Sequence, residues 1–421
     1  MRGREDDPER RLNAKEETML SRRRLLKTTA LSAAALAARG VPAWAASTPG
    51  VTATEIKIGQ TMPYSGNASS YGNIGKAELA YFKMINEQGG INGRKINLIS
   101  LDDSYSPPKT VELVRRLVEQ EEVAFLFQTL GTPSNSAIWQ YCNDEKVPQL
   151  FVATGATKWN DPKGHPWTMG WQPNYQTEAR IYAKQILATK PNAKISILYQ
   201  NDDFGKDYVI GLKAGLGDKY DKMVVKELSY ESTDPTVDSQ IVTLQGSGAD
   251  THLTAAIPKY AAQAIRKAYD IGWKPTHYLT NVAISVGGVL EPAGLEKSQG
   301  IISADYRKDT SDPRWKDDAG YKQWLAFMAK YMPDADLKDN NYPYGMMVAM
   351  TLVQVLKQCA NDLSRESIMK QAASIKDFEL PMLLPGIKLN TSATDFAPIK
   401  QMQLQRFEGK SWGLFGDVLS G

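Results

Sequence analysis

The residues of this chain best placed to do chemistry lie between Phe125 and Thr157, where two apolar runs each break into a loop of small and hydroxyl-bearing residues. The first run, Phe125-Leu126-Phe127-Gln128-Thr129, stops at Gly131. Thr132-Pro133-Ser134-Asn135 then opens a helix in the manner of an N-cap followed by a first-turn proline. The second run, Val147 to Val152, ends in Ala153-Thr154-Gly155-Ala156-Thr157, whose small side chains let the backbone approach a bound molecule. If the two strands are parallel, their loops finish side by side. An uncapped helix N-terminus is partly positive, and ligands of open α/β sheets sit beyond the carboxyl ends of the strands. The two loops therefore predict a polar cradle for a small carboxylate. Ordinary helix capping is the competing reading of either loop alone.

Other constellations carry less. Asp102-Asp103 and Asp202-Asp203 read as loop ends and helix caps, because adjacent residues of a strand face opposite ways and no histidine or third acid stands at metal spacing. No metal and no cofactor are expected. Gly246-Ser247-Gly248 is a turn without the Gly-Lys-Ser/Thr of a phosphate loop, and no Gly-x-Ser-x-Gly elbow occurs. The chain has three histidines, His165, His252 and His277, none in a motif that would serve Cys142 or Cys359 as a catalytic base. No catalytic residue is assigned. The two cysteines lie in helical patterns and read as buried free thiols, although the compartment inferred below permits a disulfide.

The elements that must position the cradle alternate between strand and helix. Glu55 to Met62 forms a first strand, a helix runs from about Gly75 to Asn86, and Lys95 to Leu101 forms the next strand after the Asn92-Gly93 turn. Pro107-Pro108 start a helix with Val111, Val114, Leu117 and Val118 on one face, which delivers the chain to Phe125. Past Trp171 the alternation resumes, with strands at Ile195–Tyr199, near Val224, at Thr251–Ala256 and at Tyr278-Leu279 and helices between them. Helices at Tyr321–Tyr331 and Tyr342–Cys359 follow, then short strands at Ile387–Leu389 and Met402–Phe407. Such an order predicts parallel sheets covered by helices. Trp159, Trp167 and Trp171 read as core or hinge residues.

Charge excludes one class of partner. The 421 residues carry a formal +3, but ten of the 50 Lys/Arg and six of the 47 Asp/Glu fall in the first 45, leaving 40 against 41 for the rest. A near-neutral body gives nucleic acid no electrostatic footing. Ser21-Arg22-Arg23-Arg24-Leu25-Leu26-Lys27, an apolar run from Thr28 to Ala38 and Ala43-Trp44-Ala45 together read as an export signal. It resembles the twin-arginine type, with Leu25 in place of that pattern's phenylalanine. Residues 1–18 form a charged prefix that export signals rarely carry, which leaves Met1 and Met19 as alternative starts. The expectation is an exported, soluble periplasmic protein.

Across roughly residues 54 to 415 the chain resembles the leucine/isoleucine/valine-binding family of periplasmic solute-binding proteins of ABC importers. Its marks are Ile56-Lys57-Ile58-Gly59, Ser65-Gly66, Tyr71-Gly72, Ile85-Asn86-Glu87-Gln88-Gly89-Gly90-Ile91-Asn92-Gly93, Asp102-Asp103 before Pro107, Asn201-Asp202-Asp203-Phe204-Gly205 and Gly272-Trp273. The resemblance implies a type I periplasmic binding protein: two Rossmann-like, doubly wound α/β lobes joined by a hinge of three strands and closing on a ligand. The lobes would be 52–172 and 173–302, with returns at 303–378 (lobe one) and 379–421 (lobe two) after an export signal at 1–45. It also implies ligand-binding positions: Tyr71, Leu130, Thr132 and the loop Ala153, Thr154, Gly155 in lobe one, and Phe204, Ile257 and Asn281 in lobe two. Phe204 and Ile257 stand where the family usually has other aromatics.

One departure bears on the ligand. Amino-acid binders of the family usually place a carboxylate on the loop that corresponds to Leu279–Ser285, and here there is none. A buried ammonium without an anion is costly. Asn281 therefore suggests an aromatic or short-chain acid lacking the amino group, while Asp102, Asp202 or Asp203 as a substitute keeps branched-chain amino acids open. The implied role is capture of a small carboxylate by a monomer that delivers it to an inner-membrane ABC permease. The alternatives are a ligand sensor of the same fold and, third, a periplasmic enzyme.

Overall fold

The computed structural model of the protein describes residues 48–421. The export signal expected at 1–45 lies outside them. The chain opens with β1 (Glu55–Met62), α1 (Gly72–Glu87), β2 (Lys95–Asp102), α2 (Pro107–Arg115), β3 (Leu126–Phe127), α3 (Thr132–Asp144), β4 (Gln149–Val152) and β5 (Thr168–Gly170). These five strands form one all-parallel sheet in the order β2-β1-β3-β4-β5.

A second sheet follows, built from α4 (Tyr175–Thr189), β6 (Ile195–Gln200), α5 (Asp203–Leu216), β7 (Val224–Tyr230), α6 (Asp238–Gly246), β8 (Thr251–Ala255), α7 (Pro258–Asp270), β9 (Thr276–Leu279) and β10 (Ile302–Asp305). Its order is β12-β11-β10-β9-β8-β6-β7, the last two elements in sequence, β11 (Gln401–Glu408) and β12 (Ser411–Ser420), adding an antiparallel hairpin beside β10. Between β10 and β11 come α8 (Ala319–Tyr331), α9 (Asn341–Gln358) and α10 (Arg365–Ala372). Of these, α9 returns to pack on α1 of the first unit.

Burial explains the layering. Every residue of β8 is buried, as a central strand covered by helices on both faces requires. On α1 the apolar face of Ile74, Ala77, Tyr81, Phe82 and Ile85 turns inward at helical spacing. Gly345 of α9 lets the two helices close up: a Cβ there would meet the Ile74 carbonyl oxygen at 2.5 Å.

The cradle strands are shorter than the apolar runs suggest. Gln128 and Phe151 are both buried with positive φ (52° and 54°), which ends the β3 ladder after Phe127 and shifts the register of β4 against β5. The Gln128 side-chain amide donates to the Phe151 carbonyl and ties the two bent residues together. Ile387–Leu389, expected as a strand, makes only an isolated bridge between Phe378 and Leu389 after the Pro385-Gly386 turn. Cys142 and Cys359 are free, buried, and in separate apolar clusters. Burial raises the first thiol to about 12 and the second to about 11.

Candidate functional site

Between the carboxyl ends of the two sheets lies a cavity with about 550 Å³ of atom-free space, part of it open to solvent. Seven of the residues expected at a site line it together: Tyr71, Leu130, Thr132, Ala153, Phe204, Ile257 and Asn281. Thr154 and Gly155 do not. They line a smaller neighbouring cavity of about 260 Å³: Thr154 faces away from Ala153, its neighbour in an extended segment, and the Gly155 carbonyl is held by the Tyr175 N–H at 2.8 Å.

The cradle works differently from a capped helix start. The N-cap of α3 is Gly131, at φ 99°, and Thr132 is the first helical residue with no capping hydrogen bond from a side chain. Only glycine fits at 131, since a Cβ would meet the Tyr105 ring at 2.5 Å. The Thr132 hydroxyl instead meets the Thr154 hydroxyl at 2.6 Å. Thr154 Oγ1 already accepts from the Ala156 N–H (3.2 Å) and the Trp159 indole N–H (3.3 Å). With both lone pairs taken, Thr154 must donate to Thr132, which leaves the Thr132 proton free for an acceptor in the cavity. Thr154 thus acts one step removed from the cavity, by orienting Thr132.

Around this cradle stand tyrosines. Tyr105, Tyr175, Tyr306 and Tyr344 join Tyr71 and Phe204 on the wall. Burial raises the pKa of the Tyr71, Tyr105, Tyr175, Tyr306 and Tyr344 phenols, so all five are neutral. Tyr175 packs edge-on against Phe204 at 4.9 Å, and Trp171 supports Tyr344 from behind at 5.2 Å. The wall is aromatic, with its rings packed edge to face.

Among the described residues, no carboxylate is on it. Asp102 accepts from the Tyr64, Ser65 and Ser104 amides and closes its own loop. Asp202 caps α5 by accepting from the Phe204 and Gly205 amides, and Asp203 pairs with Lys158 at 2.7 Å. None of the three lines the cavity. The lining residue that carries a charge is Arg307, which sequence reasoning missed. Its Nε pairs with Asp305 at 3.0 Å and one terminal nitrogen, Nη2, donates to the Asn281 carbonyl at 3.3 Å. Burial alone would lower its pKa, but Asp305 and the surrounding tyrosines outweigh that and raise it. It is a permanent cation.

Asn281 is held from below by Glu178. That buried carboxyl accepts from the Asn281 backbone N–H at 2.8 Å, from the Asn281 side-chain amide, and from the phenols of Tyr182 and Tyr208 (2.6 Å for the latter). Desolvation raises its pKa to about 7, the four donors opposing the rise.

The two halves touch across the cavity. The Tyr71 phenol donates to the Val282 carbonyl at 3.0 Å, and Asn67 donates to the Ser232 carbonyl and the Tyr260 hydroxyl. Thr157 N–H reaches Asp207 at 2.7 Å. Lys158–Asp203 at 2.7 Å and the Gln200 amide donating to the Tyr105 phenol at 3.3 Å add to these polar contacts, and the buried apolar cluster runs on from one half into the other.

The comparisons with known proteins agree with this geometry. The periplasmic binding protein family matches residues 55–411. A Leu/Ile/Val-binding protein homolog 7 from Brucella suis is 25% identical over 288 residues, which is 66% of this chain and 69% of the relative. Among solved structures, a branched-chain amino acid ABC transporter protein from Thermus thermophilus with bound valine superposes with a TM-score of 0.79 at 14% identity, covering 88% of this chain and 98% of the other. A solute-binding protein of an ABC transporter from R. palustris in complex with 4-hydroxybenzoate gives 0.73 at 16% identity, covering 87% and 97%.

Proposed function

The chain belongs to the periplasmic binding protein family, and we propose from that premise that it captures a small organic acid without an α-ammonium group and hands it to an ABC permease. The observation that carries the ligand class is the cavity wall, on which a free hydroxyl donor at a helix N-terminus and one guanidinium face the ligand and no carboxylate does. A carboxylate gains charge-assisted hydrogen bonds there, whereas an ammonium would lose water and find no anion. The tyrosine wall suits an aromatic ring or a short branched chain. Both relatives of known ligand share the fold alone, so the choice between their ligand types rests on the lining residues of this chain.

The two units would act as lobes, 52–172 with 303–378 and 173–302 with 379–421, closing over the acid as a monomer. Among the described residues no helix is long and apolar enough to cross a membrane. Export would follow the twin-arginine route, and replacing Arg22 and Arg23 by lysine should then hold the precursor in the cytoplasm; normal periplasmic yield would refute that route. Mass spectrometry of small molecules released from the purified protein tests the ligand class. An aromatic or aliphatic acid lacking an amine is expected, and a stoichiometric amino acid would overturn the proposal.

A further inference from the structure

Arg307 is an expensive residue to place where it is. It is 5% exposed, it follows β10 directly, and its guanidinium lies between the Tyr306 and Tyr344 rings at 5.0 and 5.8 Å. Asp305 takes one edge through Nε, and that same carboxylate oxygen also accepts from the backbone N–H groups of Tyr306 and Arg307. The Asn281 carbonyl accepts from Nη2. The remaining terminal nitrogen, Nη1, has no hydrogen-bond partner among the described residues, while the residue itself lines the ligand cavity. A purely structural arginine buried to this degree would have its donors satisfied inside the protein.

We propose that Arg307 is the specificity-determining residue of the site: its free edge donates to an oxygen of the ligand and its charge excludes an ammonium from the same place. This rests on the reading that the ligand is a carboxylate. Because Asp305 already balances the guanidinium, the ligand group facing Arg307 need not carry a second charge. A neutral acceptor satisfies it, which points to acids bearing an additional oxygen, such as 2-oxo or hydroxy acids. An amino acid of the same skeleton fails twice: its ammonium cannot accept a hydrogen bond, and it meets a like charge with little water to screen it. Asp305 offers no rescue, since it does not line the cavity.

The test is calorimetry with two matched pairs, leucine with 4-methyl-2-oxopentanoate and phenylalanine with phenylpyruvate. The proteins are wild type, the doubly neutral Arg307→Met/Asp305→Asn, which leaves no charge unpaired, and Arg307→Lys, which keeps the charge but not the planar fork. Wild type should prefer the oxo acid of each pair. The double variant should lose roughly tenfold or more on the oxo acids, the worth of one charge-assisted hydrogen bond, and the preference within each pair should shrink by a similar factor. Arg307→Lys should weaken both oxo acids while leaving the amino acids bound as poorly as in wild type, so that the preference shrinks without inverting, and it carries the test alone if the double variant does not fold. Native-like folding with an unchanged preference in the double variant overturns the role of Arg307 and leaves the carboxylate reading standing, as does an equal loss on all four ligands in either variant. Wild-type protein that prefers the amino acids, or binds no acid, overturns both.

Discussion

The two polar regions of the cavity are built in opposite ways. The cradle on the first sheet comes from loops 22 residues apart at their hydroxyls, Thr132 and Thr154, and its donors are a helix terminus and one oriented hydroxyl. The pole on the second side gathers Asn281, Glu178, Asp305 and Arg307, with separations of up to 103 residues between direct partners, and works through buried side-chain charge. On the proposed reading the first is a local device that any acid could use, and the second, which depends on the whole fold, discriminates among acids. Damage to the second should therefore cost more stability than damage to the first, where loss of the hydroxyl donor should cost mainly affinity.

Asp305→Ala presses hardest on that contrast. It would strand the Arg307 guanidinium in a buried site, and removing one partner of a buried pair typically costs about 3–5 kcal/mol. Urea denaturation should show a loss of that size. A change under ~1 kcal/mol would mean that water reaches the pair and that the second pole is not desolvated.

Next comes the carboxyl beneath it. Glu178 has a folded pKa raised from 4.5 to about 7, chiefly by desolvation. A raised acid holds its proton in the folded state when the unfolded chain has lost it, so its contribution is full below pH ~4.5 and is lost as pH climbs through ~7. The span is about 3 kcal/mol. Glu178→Gln cannot titrate, so the stability of wild type relative to this variant should fall by about that much between pH 4.5 and 8. A flat difference would place the Glu178 pKa near its ordinary value.

Gly131→Ala reaches the first cradle through its backbone. At φ 99° and with the Tyr105 ring 2.5 Å from the added Cβ, the variant should lose about 1–3 kcal/mol of stability and weaken acid binding as the α3 terminus shifts. Thermal unfolding that matches wild type would show that the loop tolerates another conformation. The smallest expected effect on folding is that of Thr132→Val. There is no capping bond to lose, but the buried Thr154 hydroxyl loses its acceptor, so stability should fall by about 1 kcal/mol, while acid binding weakens by roughly tenfold for one lost hydroxyl contact. A loss of several kcal/mol would mean that the hydroxyl serves the helix as well.

The same contrast explains what the sequence could disclose. Gly131-Thr132-Pro133 announces a strand giving way to a helix, and that is enough to locate the cradle without a partner in view. Thr154 and Gly155 lie outside the main cavity, and no local pattern announces it, because the bend at Phe151, the capture of Thr154 by Trp159 and the Tyr175 N–H on the Gly155 carbonyl are tertiary facts. Arg307 leaves no local signal at all. In the sequence it is one of many arginines, and its meaning depends on Asp305 beside it, on the Tyr344 ring 37 positions later and on a carbonyl 26 positions earlier. β12 was equally silent, since Gly413, Gly416 and Asp417 break the alternation that marks a strand. Asn281 was reachable only through resemblance to a family, and what holds it, Glu178, was not.

On the proposed reading the cavity selects an acid and rejects the matching amino acid. Calorimetry of the purified wild-type protein, freed of bound ligand, with leucine, 4-methyl-2-oxopentanoate and 4-hydroxybenzoate tests it most directly. The account predicts that at least one of the two acids binds and that leucine binds more weakly or not at all. Micromolar or tighter binding of leucine, with neither acid bound, would contradict it, and would mean that an anion missing from the cavity wall reaches the ammonium.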